Sequence, residues 1–152
     1  MEISYSSGGV EHLDMIRPLW EKLNQHHAKI SPHFVAEFQT KTFEGRKSAL
    51  LEKYAAGEMR VDIAQSQQVT IGYLISAVDS KGVGEIESIY IEESFRGQAI
   101  GDELMRQALA WLDEQNVHTK VIAVAVGNER AHSFYERFGF YPRVMMLKQK
   151  GS

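Results

Sequence analysis

A chain of 152 residues, 43% hydrophobic and 24% charged, has the composition of one folded domain, residues 1–152, and excludes fibrous and disordered classes. Its 17 basic and 20 acidic residues leave a net charge of -3, which supplies neither an electrostatic footprint for nucleic acid nor a polybasic patch for a lipid surface. The absence of cysteine excludes disulfides, thiolate metal sites and a cysteine nucleophile. The opening MEISYSSGG lacks the basic and apolar regions of a signal peptide. The longest apolar run, VIAVAV, falls far short of the roughly 18 residues that span a bilayer. A cytoplasmic protein without a nucleic-acid or membrane partner is expected.

In chain order, Ile3 to Tyr5 form a short candidate strand, and SSGG turns the chain. Leu13, Ile16, Trp20 and Leu23 then recur at helical spacing through EHLDMIRPLWEKLNQHHAKI, with Pro18 placed to kink that helix. Phe34, Val35 and Phe38, followed by Ala49, Leu50 and Tyr54, predict a second helical region ending at Gly57. From Met59 the period falls to two. MRVDIAQ, VTIGYLISAVD and GEIESIYIEE, separated by SQQ and SKGVG, predict an antiparallel meander. Ile100, Leu104, Ala108, Trp111 and Leu112 predict a helix running to Asn116, and TKVIAVAV predicts a buried strand, which together make a crossover unit. NERAHSFYERFG predicts a last helix capped by Asn128 and stopped by Gly139, and FYPRVMMLKQ predicts a closing strand. The class is α/β, with a mixed and mostly antiparallel sheet flanked by helices.

The stretch RGQAIGDEL, Arg96 to Leu104, opens a helix without the usual Ser, Thr, Asp or Asn cap. Glycines between a strand and a helix leave the first helical N–H groups open, where the helix dipole favours an anion, and Arg96 adds a charge-assisted donor. Spacing alone equally fits a flexible connection. Neither the P-loop pattern nor G-x-G-x-x-G is present.

The order Arg96, Gly97, Gln98, Ala99, Ile100, Gly101 resembles the R/Q-x-x-G-x-G/A signature of the GCN5-related N-acetyltransferases (GNAT), with Ala99 standing where that family usually has glycine. The segment NERAHSFYERFGF, Asn128 to Phe140, is similar to the family's N-x-x-A-x-x-F-Y-x-x-x-G-F segment at every marked position. The order of elements matches over essentially the whole chain. The resemblance implies the GNAT acyl-CoA N-acyltransferase fold and transfer of an acetyl group from acetyl-coenzyme A to a primary amine, on a small molecule, a polyamine or a protein. It also implies that the coenzyme pyrophosphate lies on Arg96 to Gly101 and the adjoining Asp102, that the pantetheine arm runs along Ile89, Tyr90 and Ile91, and that Asn128 contacts that arm. Tyr135 matches the tyrosine that commonly protonates the departing thiolate. An acyl-coenzyme A sensor without efficient catalysis is the alternative, and a homodimer is compatible with either.

Transfer to an amine needs a base and benefits from an acid, because an alkyl amine has a pKa of about 10.4 and a thiol about 8.5. Strict alternation puts Glu85, Glu87, Ile89 and Ile91 on one strand face and Ile86, Ser88 and Tyr90 on the other. Glu87 is the first candidate base and Glu85 the second, unless both are solvated or paired with lysine. If that strand splays, the N–H of Ile89 or Ile91 is available to an oxyanion. The acidity of Glu85, Glu87, Glu92 and Glu93 would suit a cationic acceptor. Trp20, His27, Phe34 and Phe38 are candidates to shape the acceptor pocket, or else are core. His26, His27 and His33 have no recognised metal-ligand spacing, and no metal is expected. The missing cysteine favours direct attack over a cysteine-borne acyl intermediate.

Overall fold

The computed structural model describes residues 2–151; Met1 and Ser152, the ends of the expected domain, lie outside the described residues. One sheet of five strands runs in the order β1 (Ser4–Gly8), β2 (Glu58–Ser66), β3 (Val69–Val78), β4 (Val83–Ile91) and β5 (Thr119–Ile122). The first four strands pair antiparallel and β4 pairs with β5 in parallel, which is the mixed sheet expected. A parallel neighbour requires a crossover, supplied by α4 (Ile100–Glu114). Among the described residues no helix is long and apolar enough to cross a membrane.

Two apolar layers sandwich the sheet. On one face lie α1 (Arg17–Ile30) and α3 (Phe43–Lys53), which bury Leu19, Trp20, Phe43 and Leu50 against Val61, Tyr73 and Ile75. On the other lies α4, whose Leu104, Met105, Ala108 and Leu112 are fully buried against Leu74 and Ile86. Each fully buried leucine contributes roughly 1.5–3 kcal/mol. The short helices α2 (Val35–Thr40) and α5 (Ala131–Glu136) sit beside these layers.

Several expectations need correction. Pro18 does not kink its helix but begins it, in the first turn where a missing N–H costs nothing, and Val10–Ile16 ahead of it is a 3-10 helix. The second helical region is two helices, because Lys41 at the end of α2 is extended and Thr42 restarts the chain by accepting the Gly45 N–H at 3.1 Å. The TKVIAVAV strand stops at Ile122 and is half exposed rather than buried, since only β4 covers it. FYPRVMMLKQ forms no strand, and Val144 to Leu147 lie exposed; the segment does not pair with β5, whose outer edge is open, and an alternating run is a strand only when it pairs. Asn128 does not cap α5 with its side chain; its carbonyl accepts the Ala131 N–H at 3.0 Å.

Candidate active site

The central strand β4 carries a β-bulge. Against β3, Ser88 faces Ile75 and Ile86 faces Ser76, so Glu87 is an extra residue with no partner in the register. The bulge shifts the alternation by one. Glu85 and Glu87 reach α3 through Lys53 and Arg46, and Ser88 and Tyr90 then follow on that same side, with Tyr73 Oη 2.6 Å from Ser88 Oγ. Ile89 and Ile91 pack instead with Ile86 on the α4 side. The expected single face of Glu85, Glu87, Ile89 and Ile91 is therefore wrong from Ser88 onward, because period two does not survive an inserted residue.

Beyond the bulge, β4 also loses its other neighbour. Pairing with β5 ends at Ile86 opposite Ile122, leaving Glu87 to Ile91 without a strand partner on that side among the described residues. The Glu92 N–H donates to Ile71 O across β3 at 2.8 Å. Backbone polar groups alternate along a strand, so those of Ile89 and Ile91 point the other way, into the gap. Arg96 Nε takes the Ile91 carbonyl at 2.9 Å, and its guanidinium lies over the Tyr90 ring at 5.2 Å.

The gap leads to the start of α4. Gly97 and Ala99 have φ of 83° and 62°, and Ala99 is the N-cap residue, with no side chain to cap the helix. The first α4 hydrogen bond is Glu103 N–H to Ala99 O at 3.1 Å, so the amides of Ile100, Gly101 and Asp102 precede it and point out of the helix end. A Cβ at Gly97 would meet nothing within 4 Å, whereas one at Gly101 would stand 3.3 Å from the Phe134 ring. Gly101 thus lets α5 approach α4, and Gly97 supplies the left-handed turn. Ile100 is buried, so only its main chain faces outward. Asp102 holds Arg137 through two 2.8 Å bonds, which tie α4 to α5 and lower the Asp102 carboxyl pKa.

A cleft of about 740 Å³, within the usual range for small-molecule sites, opens beside the bulged part of β4 and does not extend to the Arg96–Asp102 turn. It is lined by α1 and α2 through Trp20, His27 and Phe38, by α3 through Arg46, by β4 through Glu85, Glu87, Ser88 and Ile89, and by Ala123 to Ala125, Asn128 and Tyr135. Phe34, Tyr90 and Ile91 do not line it. Phe34 precedes α2, where its N–H donates to Ser31 Oγ at 3.0 Å. Trp20 serves both roles, lining the cleft and packing edge-on to Phe43 at 5.7 Å.

Glu87 is held tightly. Its side chain is 5% exposed and accepts from Arg46 Nη2 at 2.9 Å, from Lys53 Nζ at 2.7 Å and from the Tyr54 hydroxyl in a short hydrogen bond. Although burial raises its pKa, those three donors outweigh burial and bring it below the usual carboxylate value. Tyr54 is pushed strongly up by burial and by Glu87. Glu85 has one partner, Lys53 Nζ at 2.9 Å. Glu92 accepts from Lys22 at 2.7 Å. The expected acidity of this region is thus largely cancelled by cations.

His27 stacks on Phe38 at 5.5 Å, and its Nδ1 is buried without a hydrogen-bond partner among the described residues. Burial first, then His26 and Lys41, pull its pKa down to about 4, so it is neutral at pH 7. Burial pushes the Tyr135 hydroxyl up to about 12.

Arg46, Lys53 and Tyr54 were missed by the sequence reading. Their spacing of seven and eight residues places them on one face of a helix, and two carboxylates on a nearby strand are the signal that would have found them. Lys41, which also lines the cleft, had no such signal.

The sequence model described as "Acetyltransferase (GNAT) family" matches residues 19–140. An uncharacterized N-acetyltransferase of Methanocaldococcus jannaschii is 33% identical over 66 residues, 43% of this chain and 29% of that protein. One of Archaeoglobus fulgidus is 38% identical over 60 residues, 40% of this chain and 41% of that protein. The chain thus matches less than half the length of these curated relatives. Among solved structures, a GCN5-related N-acetyltransferase of Ralstonia eutropha JMP134 matches with a TM-score of 0.76 at 16% identity, covering 99% of this chain and 100% of that one. The aminoglycoside N-acetyltransferase AAC(6')-Iy in complex with CoA matches with a TM-score of 0.70 at 17% identity, covering 98% and 95%. These likenesses show the fold, and the family match spans most of the sequence. The chain belongs to the GNAT acetyltransferase family.

Proposed function

We propose that this protein transfers an acetyl group from acetyl-coenzyme A directly to a primary amine. The observation that carries this reading is the open half of β4, which has no strand on one side among the described residues, lines the cleft at Ile89 and is followed in the chain by the uncapped start of α4. An extended pantetheine arm carries amide groups that can pair with Ile89 and Ile91. A pyrophosphate fits the free amides from Gly97 to Asp102, which also lie at the positive end of the helix dipole. Arg96 and Gln98 flank that turn, and Asn128 faces the arm from the cleft wall. The coenzyme supplies the acetyl thioester when bound.

The incoming ammonium must lose a proton before its nitrogen can attack. Glu85, with a single cation partner, is the better base, acting through a water; Glu87 is saturated by three donors and holds Arg46 and α3 in place. As the C–N bond forms and the C–S bond breaks, Tyr135 donates a hydrogen bond to the sulfur that takes the electron pair. At about 12, Tyr135 keeps its proton, and full transfer to a thiolate of pKa about 8.5 is uphill. Its contribution is then stabilisation of the developing charge; the acylated nitrogen releases its second proton to solvent, and the thiolate collects its proton from solvent. The N–H of Ile89, facing the gap, supplies a donor for the carbonyl oxygen.

The test is thermal stabilisation by acetyl-coenzyme A, followed by free-thiol release across an amine panel. Stabilisation with thiol release on at least one amine is expected. Stabilisation without release on any amine favours an acyl-coenzyme A sensor, and no stabilisation removes both readings.

A further inference from the structure

The charged side chains that line the cleft, Lys41, Arg46, Glu85 and Glu87, sum to zero, and Lys53, outside the lining but bonded to both carboxylates, adds one positive charge. Glu85 and Glu87 are matched by Lys53 and Arg46, which leaves that cluster neutral. Lys41 is left over. It lines the cleft between α2 and α3, is exposed, and among the described residues has no carboxylate partner; its Nζ lies 4.8 Å from the Phe38 ring centroid. Arg46 is only partly used. Both of its bonds, to Glu87 Oε1 at 2.9 Å and to the Glu87 carbonyl at 3.1 Å, come from Nη2, and 29% of its side chain remains exposed. The neighbouring histidine, His27, adds no charge at pH 7 because it is neutral, so the surplus in this part of the cleft rests on Lys41.

We propose that the acceptor favoured by this cleft is an amine that also carries a carboxylate, which Lys41 and the free edge of the Arg46 guanidinium bind, with His27, Phe38 and Trp20 enclosing its apolar body. This rests on the transfer reading above and narrows its acceptor. A guanidinium edge presents paired donors that match a carboxylate, and an ammonium over an aromatic face adds a second, undirected charge. A polyamine would instead bring two or more positive charges to a site whose carboxylates are already matched, which disfavours it through unpaired like charge. An amine with a single charge and no anion lacks a partner for Lys41.

The test is calorimetric binding of matched pairs to the full chain with excess coenzyme A present: phenylalanine against 2-phenylethylamine, leucine against isopentylamine, and spermidine as the cationic reference. We expect each amino acid to bind at least tenfold more tightly than its decarboxylated partner, and Lys41→Glu to reduce that ratio below about twofold while leaving thermal stability unchanged. A ratio of one or less in the natural chain, a ratio unaffected by Lys41→Glu, or no binding by any member of the panel overturns the proposal. Thiol release separates the two readings. The predicted binding ratio without release leaves the anion preference standing and removes transfer, whereas release with spermidine in preference to the amino acids leaves transfer standing and removes the anion preference.

Discussion

The two halves of β4 differ in one respect that decides what each can do. From Val83 to Ile86 the strand has β3 on one side and β5 on the other; from Glu87 to Ile91 it keeps β3 alone. The closed half has strands on both sides and packs Ile86 under α4, whereas the open half has no strand on one side among the described residues and lines the cleft from Glu87 to Ile89. Backbone groups need partners, and along this half-exposed edge one is supplied by Arg96 at the Ile91 carbonyl, while the proposed function assigns the others to a ligand. The bulge at Glu87 stands at the boundary: Glu87 faces α3 as Glu85 does, held by Arg46, Lys53 and Tyr54, and the residues from Ser88 onward change faces.

This contrast can be broken first on the closed side. Leu112 is fully buried, and its Cδ2 would stand 3.1 Å from a Cβ at Gly84 of β4. Leu112→Ala should cost about 2–5 kcal/mol in chemical denaturation, while kcat per folded molecule changes little. A large loss of kcat without a loss of stability would show that the halves are not separable.

On the open side, Tyr135→Phe should do the reverse. We expect kcat to fall about 100-fold, the scale of losing one donor to a developing anion, with coenzyme affinity and Tm nearly unchanged. Unaltered turnover would remove Tyr135 from the chemistry.

At the boundary, Glu87→Gln should lower stability at pH 7 by about 2 kcal/mol, because hydrogen bonds to a charged group are lost. Glu87 has a lowered pKa in the folded state. Its contribution is therefore fully present above the ordinary value of 4.5 and is lost as pH falls below it through the lowered value. The variant should flatten that acid-side fall. His27 acts at higher pH: its folded value is about 4 against 6.5 unfolded, so the unfolded chain binds more protons between them and stability falls as pH drops from 6.5 to 4. His27→Phe should weaken that slope in a series of urea titrations, and an unchanged slope would assign it to other groups.

The smallest effect is expected at Ala99. A left-handed alanine costs roughly 1–2 kcal/mol, and glycine returns part of that gain through its freer unfolded chain. Ala99→Gly should then raise Tm by roughly 2 °C, at about 2–4 °C per kcal/mol for a chain of this length. A lower Tm would mean that the methyl makes a compensating contact.

Much of this arrangement was legible in the residues. The meander from Met59, the long helix after it and the glycine turn between them follow from period, composition and turn chemistry, all of which are local. So are Gly97, Ala99 and Tyr135, which stand in motifs of short span. The reading failed where a distant partner decides the outcome. FYPRVMMLKQ alternates like a strand but pairs with none, and TKVIAVAV is cut to Thr119–Ile122, where pairing with β4 ends at Ile86. Phe34 has the chemistry of a pocket residue, yet the backbone ahead of α2 keeps it out of the cleft.

What the sequence by itself determined is the meander, the long helix after it, the family and the uncapped helix start, because each depends on neighbours a few residues apart. Only the tertiary structure decided the electrostatics of the cleft. Glu87 is separated from Arg46 by 41 residues and from Lys53 by 34, so whether it is a free base or a locked anchor depends on where α3 docks. The same docking leaves Lys41 without a carboxylate. Charge counts along the chain made this region acidic; packing pairs those carboxylates and leaves a cation facing the cleft.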